Sequence, residues 1–165
     1  MTTLASKPLQ IRRGTHADLA AMLEIERASF SDPWSEESFT TALTLDRMLV
    51  LVADELDGER QGRDGVPNLA GYVVALVVGP DAEIADLAVA PSSRRRGVGQ
   101  ALMERAASEL ARRGVRSLYL EVRESNVGAR TLYEANGFRP VGRRRGYYRQ
   151  PVEDALLLKR EIGPT

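Results

Sequence analysis

The chain reads as a mixed α/β protein: a mostly antiparallel central sheet of about six to seven strands, with about four helices on both faces. Three observations predict it. Short apolar runs such as "MLVLVADE" and "LAGYVVALVVG" have the length and composition of buried strands. Stretches such as "THADLAAMLEIERASF" repeat apolar residues at helical spacing. After an N-terminal part of hairpin-connected strands and helices, the order becomes strand, helix, strand, helix, strand, which a mixed sheet with helices on both faces accommodates.

In chain order, "LQIRRG" from Leu9 to Gly14 is a short strand. It enters a helix opened by Thr15 and Asp18 in a capping-box arrangement, with Leu19, Met22, Leu23 and Phe30 on its apolar side. Pro33 ends that helix, and Ser35 caps a second one whose first turn carries Glu36 and Glu37, where negative charge suits the helix dipole. Trp34 sits at the joint, as a hydrophobic plug or a substrate contact. "MLVLVADE" and "LAGYVVALVVG" are buried strands joined by a Gly-, Asp- and Arg-rich loop or short insertion over Leu56–Asn68. "EIADLAVAP" from Glu83 to Pro91 is the next strand. Val98, Leu102, Ala106 and Leu110 then mark a helix reaching to about Gly114. In "VRSLYLEVR" the residues Leu118, Leu120 and Val122 share one strand face, and Tyr119, Glu121 and Arg123 the other. "NVGARTLYEANG" is a short helix stopped at Asn136 and Gly137, and "FRPVGRRRGYY" with "EDALLLKREI" is a final strand pair.

A length of 165 residues fits one domain over 1–165 with its core over about 9–162. Hydrophobic residues at 43% and charged residues at 28% suit a packed soluble domain and exclude extensive disorder. The formal net charge is zero, so the whole-molecule field favours neither nucleic acid nor an anionic membrane, and an anion site must be local. The absence of cysteine removes disulfides, thiolate nucleophiles and cysteine zinc sites. His16 alone builds no histidine cluster, so no metal is expected. The N-terminal stretch has neither a signal-peptide core nor a spanning segment, and the expected location is cytoplasmic.

The candidate anion site is "PSSRRRGVGQALM". Arg94, Gly97 and Gly99 fall between a strand end and a helix start, where glycines let backbone N–H groups approach a ligand and the helix terminus adds partial positive charge. The same residues also describe a glycine-eased helix start with solvated arginines. A Walker loop is excluded, because no lysine follows either glycine. A dinucleotide fingerprint is weakened by Leu102, which stands where the third glycine would be.

"RRRGVG" resembles the pyrophosphate-binding signature of the GNAT acetyltransferases. "DPWSEESF", "IADLAVAP", "YLEVRESN", "LYEANGF" and "RRRGYYR" resemble, in order, segments of RimI-type members, which acetylate the N-terminal alanine of a small-subunit ribosomal protein. The resemblance spans nearly the whole chain and implies a GNAT fold with acetyl-CoA as cosubstrate. It implies that Arg95, Arg96, Gly97, Val98, Gly99 and Gln100 wrap the pyrophosphate. The backbone of Leu87, Ala88 and Val89 would pair with the pantetheine arm as an added strand does.

Acetyl transfer to an amine needs a neutral amine, a polarised carbonyl and a protonated leaving thiolate. An α-amino group with a pKa near ~8 is mostly protonated at neutral pH and needs a base. By resemblance that base is Glu121, directly or through water; on residue type alone it reads rather as a surface glutamate on a half-exposed strand. Tyr133, a phenol with a reference pKa near ~10, is implied as the acid for the thiolate, or is a core aromatic. Asn126 bonds the cosubstrate by resemblance and is also placed to cap its helix. A backbone N–H near Val89 would polarise the carbonyl. Tyr147 and Tyr148 lie on the loop that covers the peptide in these enzymes, or fix a hairpin.

The function expected is thus transfer of acetyl to the α-amino group of an N-terminal alanine. The alternatives are other protein N-termini, lysines or a small-molecule amine, and a non-catalytic acyl-CoA-binding subunit, which would need neither Glu121 nor Tyr133. Direct nucleic-acid binding is disfavoured, because no aromatic residues interleave Arg94 to Arg96.

Overall fold

The computed structural model describes residues 8–55 and 68–163. The loop expected at 56–68 therefore lies outside the described residues, apart from Asn68. The strands are β1 (Leu9–Arg13), β2 (Met48–Glu55), β3 (Leu69–Val78), β4 (Asp81–Val89), β5 (Ser117–Arg123), β6 (Arg139–Arg149) and β7 (Val152–Glu161). The helices are α1 (Leu19–Ser29), α2 (Glu36–Thr44), α3 (Val98–Arg112) and α4 (Val127–Ala135). One seven-stranded sheet runs in the order β1-β2-β3-β4-β5-β7-β6, antiparallel at every pair except β4 and β5. Among the described residues no helix is long and apolar enough to cross a membrane.

Strand alternation divides the core in two. On one face Leu49, Leu51, Val73, Ile84, Leu118 and Leu120 pack with α3 and with Tyr133 and Phe138 at α4. On the other, Val50, Val52, Tyr72, Val74 and Ala88 pack with α1 and α2. Helix α1 is pinned by a charged clamp at its start. Two N–H groups of Arg12 on β1 donate to the two oxygens of the fully buried Asp18, each at 2.8 Å, while Arg12 Nε donates to Asp54 on β2 at 2.6 Å. Burial pushes the Asp18 carboxyl up, but the Arg12 hydrogen bonds and the Thr15 N–H outweigh it and hold Asp18 below the usual carboxylate range.

The expected elements are present, with small boundary differences. β4 begins at Asp81 rather than Glu83, because a two-residue turn with Gly79 at φ +61° lets pairing with β3 start at once. Thr15 opens a short 3₁₀ turn, His16–Asp18, before α1 proper. Ser35 Oγ accepts the Ser38 N–H at 3.1 Å, which is the expected cap of α2.

Two irregularities in the sheet decide where a site forms. First, β4 and β5 are paired only from Asp81–Ser117 to Glu83–Tyr119. Beyond that they part, each still bonded on its outer side to β3 or β7, and a wedge opens with strand edges for walls. Second, Val74 faces Asp86 and Ala75 faces Ile84, so Ala85 is an extra residue in β4. Such a bulge switches the faces of the residues after it. Ile84 accordingly packs on the α3 side, whereas Ala88 packs on the α1 side.

Candidate active site

The wedge between β4 and β5 is a cleft of about 230 Å³. Ile84 to Leu87 form one wall and Leu120 to Arg123 the other. Asn126 and Tyr133 close it from α4, and Glu26, Trp34 and Tyr148 from the opposite side. Six of the candidate residues, Trp34, Leu87, Glu121, Asn126, Tyr133 and Tyr148, thus share one cavity although they come from distant parts of the chain. Asn126 takes the capping role: its side chain accepts the Ala129 N–H at 3.1 Å while the residue still lines the cleft.

Tyr133 is buried, edge-on to Phe138 at 5.8 Å between ring centroids. Burial first, and the neighbouring Asp86 second, push its phenol above the usual range, so it stays protonated at neutral pH. Glu121 is the residue that connects spaces. Besides the cleft, it lines a groove of about 490 Å³ with Glu83, Tyr119 and Arg144, and another of about 450 Å³ with Asp32, Trp34 and Tyr147. Arg144 Nε lies 2.8 Å from Glu121 Oε1, and the Tyr147 hydroxyl also bonds Glu121, which raises that phenol above its ordinary value. Tyr148 is pushed up to about 12 by burial and then by the Glu121 charge, and the Arg123 guanidinium lies 4.1 Å over its ring. The β6 backbone makes this cluster possible. Pairing with β7 skips Val141, which resets the facing of Arg144, and then jumps from Arg144 to Tyr148, which leaves Tyr147 outside the ladder.

The arginine-glycine stretch sits where the β4 wall meets α3. Gly97 caps α3 at φ +79° and Arg95 has φ +63°, a left-handed pair of turns that folds the loop around the helix start. A Cβ at Gly97 would meet nothing, so that position needs glycine for its dihedral. At Gly99 a Cβ would lie 3.1 Å from Leu132 and 3.6 Å from Val89, so there the lack of a side chain lets α4 and the end of β4 close on the first helical turn. The first N–H groups of α3, including those of Val98, Gly99 and Gln100, have no carbonyl one turn back and remain free for an anion. Arg95 and Arg96 are exposed beside them. Arg94 donates to the Val89 carbonyl at 3.2 Å and to Ser29 Oγ at 3.1 Å, tying β4 to the end of α1.

Two strand edges that part from each other and end at a glycine-formed helix terminus fit an extended amide-bearing arm with a diphosphate at its end. Acetyl-CoA has that shape and charge, and would supply an activated acetyl thioester. No group of three or more metal-ligating side chains occurs among the described residues.

Trp34 serves as core and lining together, 5.2 Å from Phe39 and on the wall of the cleft. Sequence reasoning missed Arg144, Glu26 and Asp86. Arg144 was hidden in a run of like residues whose facing depends on the β6 bulge. Asp86 did carry a signal, a lone acid within the apolar "EIADLAV".

The acetyltransferase (GNAT) family model matches residues 19–138, from the start of α1 to the end of α4 and its exit turn. A ribosomal protein bS18-alanine N-acetyltransferase of Salmonella typhimurium is 37% identical over 144 residues, covering 86% of this chain and 89% of that protein. The N-alpha-acetyltransferase RimI of Mycobacterium tuberculosis is 34% identical over 167 residues, 98% of each chain. The crystal structure of the ribosomal-protein-S18-alanine N-acetyltransferase from Escherichia coli shares the fold with a TM-score of 0.81 and 33% identity, covering 96% of both chains. With the matched span containing both cleft walls and the glycine cradle, the chain belongs to the GNAT family of acetyltransferases.

Proposed function

We propose that this chain transfers acetyl from acetyl-CoA to the α-amino group of an N-terminal alanine on a small-subunit ribosomal protein, in the cytoplasm, with residues 1–165 acting as one catalytic domain. The observation that carries the reading is the position of Glu121, at the junction of a narrow cleft suited to the donor and two wider grooves suited to a peptide. The activities named for the Salmonella and Escherichia relatives support the alanine acceptor.

In this reading the cradle at Arg95–Gln100 holds the diphosphate, and the free edge of β4 at Leu87–Val89 bonds the arm. Asn126 and the α4 start border that arm. Glu121 removes a proton from the acceptor ammonium, directly or through one water. The freed amine forms a C–N bond to the acetyl carbon as the C–S bond breaks, a β4 backbone N–H stabilising the carbonyl oxygen. Tyr133 gives its proton to the departing sulfur, and the second proton that the nitrogen sheds on becoming an amide passes through water to restore the phenol. Tyr147 and Tyr148 border the path of the peptide's first residues.

A second reading, acetylation of N-termini beyond alanine, is favoured by the broader name of the Mycobacterium relative, which this chain matches over 98% of its length. Mass spectrometry of peptides varied at their first residues and incubated with acetyl-CoA separates the two. Alanine-initiated peptides are expected to gain one acetyl group at the α-amine. Modification of internal lysines alone overturns both readings.

A further inference from the structure

Tyr148 borders the cleft on the acceptor side, and the strand ladder does little to hold it there. Pairing of β5 with β7 ends at Arg123–Ala155. After its irregularity, β6 regains β7 only at Tyr148–Glu153 and Arg149–Val152. The tip of the hairpin, residues 148–153, therefore projects past the end of β5 with two residue pairs of its own and none to β5 among the described residues. A two-stranded ribbon of that length is not rigid by itself. Something else must fix the place of Tyr148.

Arg123, the last residue of β5, reaches across that gap. Its Nη1 donates to the Pro151 carbonyl at 3.2 Å and to Glu153 Oε1 at 3.3 Å, and its Nη2 donates to the Gln150 carbonyl at 3.3 Å. The same guanidinium lies 4.1 Å over the Tyr148 ring. One side chain thus grips the turn by two carbonyls, the strand after it by a carboxylate and the strand before it by an aromatic face. Arginine suits the place, because its planar fork bonds several acceptors while its face stacks on a ring, and an ammonium cannot do both. Two lesser ties help: Glu153 Oε2 accepts the Ser125 N–H at 2.6 Å, and Ser31 Oγ donates to the Gln150 carbonyl at 3.3 Å.

Tyr148 is worth fixing because of what it touches. It borders both the donor cleft and the groove of about 450 Å³ beside Glu121, and it stands edge-on to Tyr147 at 5.1 Å between ring centroids. Tyr147 in turn bonds Glu121. We propose that Arg123 is a positioning residue for the acceptor, which holds Tyr148 where cleft and groove meet and so sets the path by which the amine reaches Glu121. This rests on the acetyl-transfer reading above and adds to it the residue that fixes the acceptor wall. Arg123 lines the same two spaces, but its fork is committed to the hairpin, so it acts through Tyr148. Without the fork the ring samples other positions, and the acceptor loses part of its ordered contact.

The test is steady-state kinetics of Arg123→Ala, Tyr148→Ala and the double variant on whichever amine the wild-type enzyme acetylates, α-amino or lysine, with thermal melting to confirm folding. Arg123→Ala is expected to raise the acceptor KM about 10-fold, with kcat lowered less than about 3-fold and the acetyl-CoA KM changed less than about 2-fold. Tyr148→Ala is expected to raise the acceptor KM by a similar factor, and adding Arg123→Ala to it to cost less than about 2-fold more. Arg123→Lys keeps the charge without the fork and is expected to resemble Arg123→Ala; it carries the same readout if the alanine variant melts below the assay temperature. An unchanged acceptor KM in a folded Arg123 variant overturns the proposal. Full recovery in Arg123→Lys overturns it too, because a point charge then suffices. So does a double variant whose loss is the product of the single ones, since Arg123 then acts independently of Tyr148. A wild-type enzyme active only on lysine peptides overturns the α-amine reading alone, since the same variants still report on the amine it uses.

Discussion

Glu121 and Tyr133 reach the same cleft from opposite directions, one on a strand in contact with charged partners and the other beneath the core, and in the proposed reaction this difference separates base from acid. Arg144 Nε lies 2.8 Å from the Glu121 carboxylate, while burial holds the Tyr133 proton. Glu121→Gln is expected to lower kcat by about 100-fold or more, and Tyr133→Phe by a comparable or smaller factor, each leaving acetyl-CoA affinity nearly intact. Turnover at the wild-type rate in both, measured by thiol release, would remove the assignment. Asp86 yields a prediction about stability. Burial, then the bond to Glu26, raises its folded value above the unfolded one, and Tyr72 and Tyr133 are the other titratable groups that sense its charge. The folded chain then binds more protons than the unfolded chain once pH exceeds about 4, so this residue makes stability fall as pH rises from there until the folded carboxyl ionises. Asp86→Asn lacks the effect. Its melting temperature, compared with wild type across pH 4 to 9, is expected to gain on wild type as pH increases, whereas a constant difference would mean that Asp86 is not protonated in the fold.

The elements contribute ends and edges rather than faces. Helix α3 offers its N-terminus, β4 its inner edge, and α4 its first turn, capped by Asn126. Gly97→Ala forces an alanine to φ +79°, at a cost of about 1 kcal/mol, in the loop that shapes the cradle. Acetyl-CoA affinity measured by calorimetry is expected to fall about 5- to 10-fold, with peptide KM little changed; unaltered affinity would place the diphosphate elsewhere. Much of this level was legible in the chain. Apolar period separated strands from helices, Ser35 and Asn126 announced their caps, and the glycines after Arg96 announced the helix start that they open. What stayed hidden depends on register. The Ala85 bulge that re-aims Asp86, and the Val141 bulge in β6 that resets the facing of Arg144, insert single residues into strands whose composition gives no sign of it. Arg94 is a third case: its bonds to the Val89 carbonyl and to Ser29 come from tertiary packing that residue type does not announce.

For the molecule as a whole, the sheet is continuous in order but split in bonding, since between β4 and β5 only the first three residue pairs hold it together. The half made of β1 to β4 and the half made of β5 to β7 are otherwise joined by the α3 and α4 packing beneath them. A ligand that bonds the free β4 edge and anchors on α3 would restore part of the missing ladder, so donor binding should stabilise the whole chain and not only a local loop. At a free acetyl-CoA concentration ~100-fold above Kd, the linkage is about 2.7 kcal/mol, a rise in Tm of roughly 5 to 10 °C for a chain of this size. Hydrogen exchange should slow at the same time along residues 84–89 and at the start of α3. Glu121→Gln should keep the full shift, because it acts on the acceptor proton, and Gly97→Ala should lose part of it. Protection appearing along the exposed β6 edge instead, with residues 84–89 unaffected, would show that the wedge between β4 and β5 is not where the donor binds.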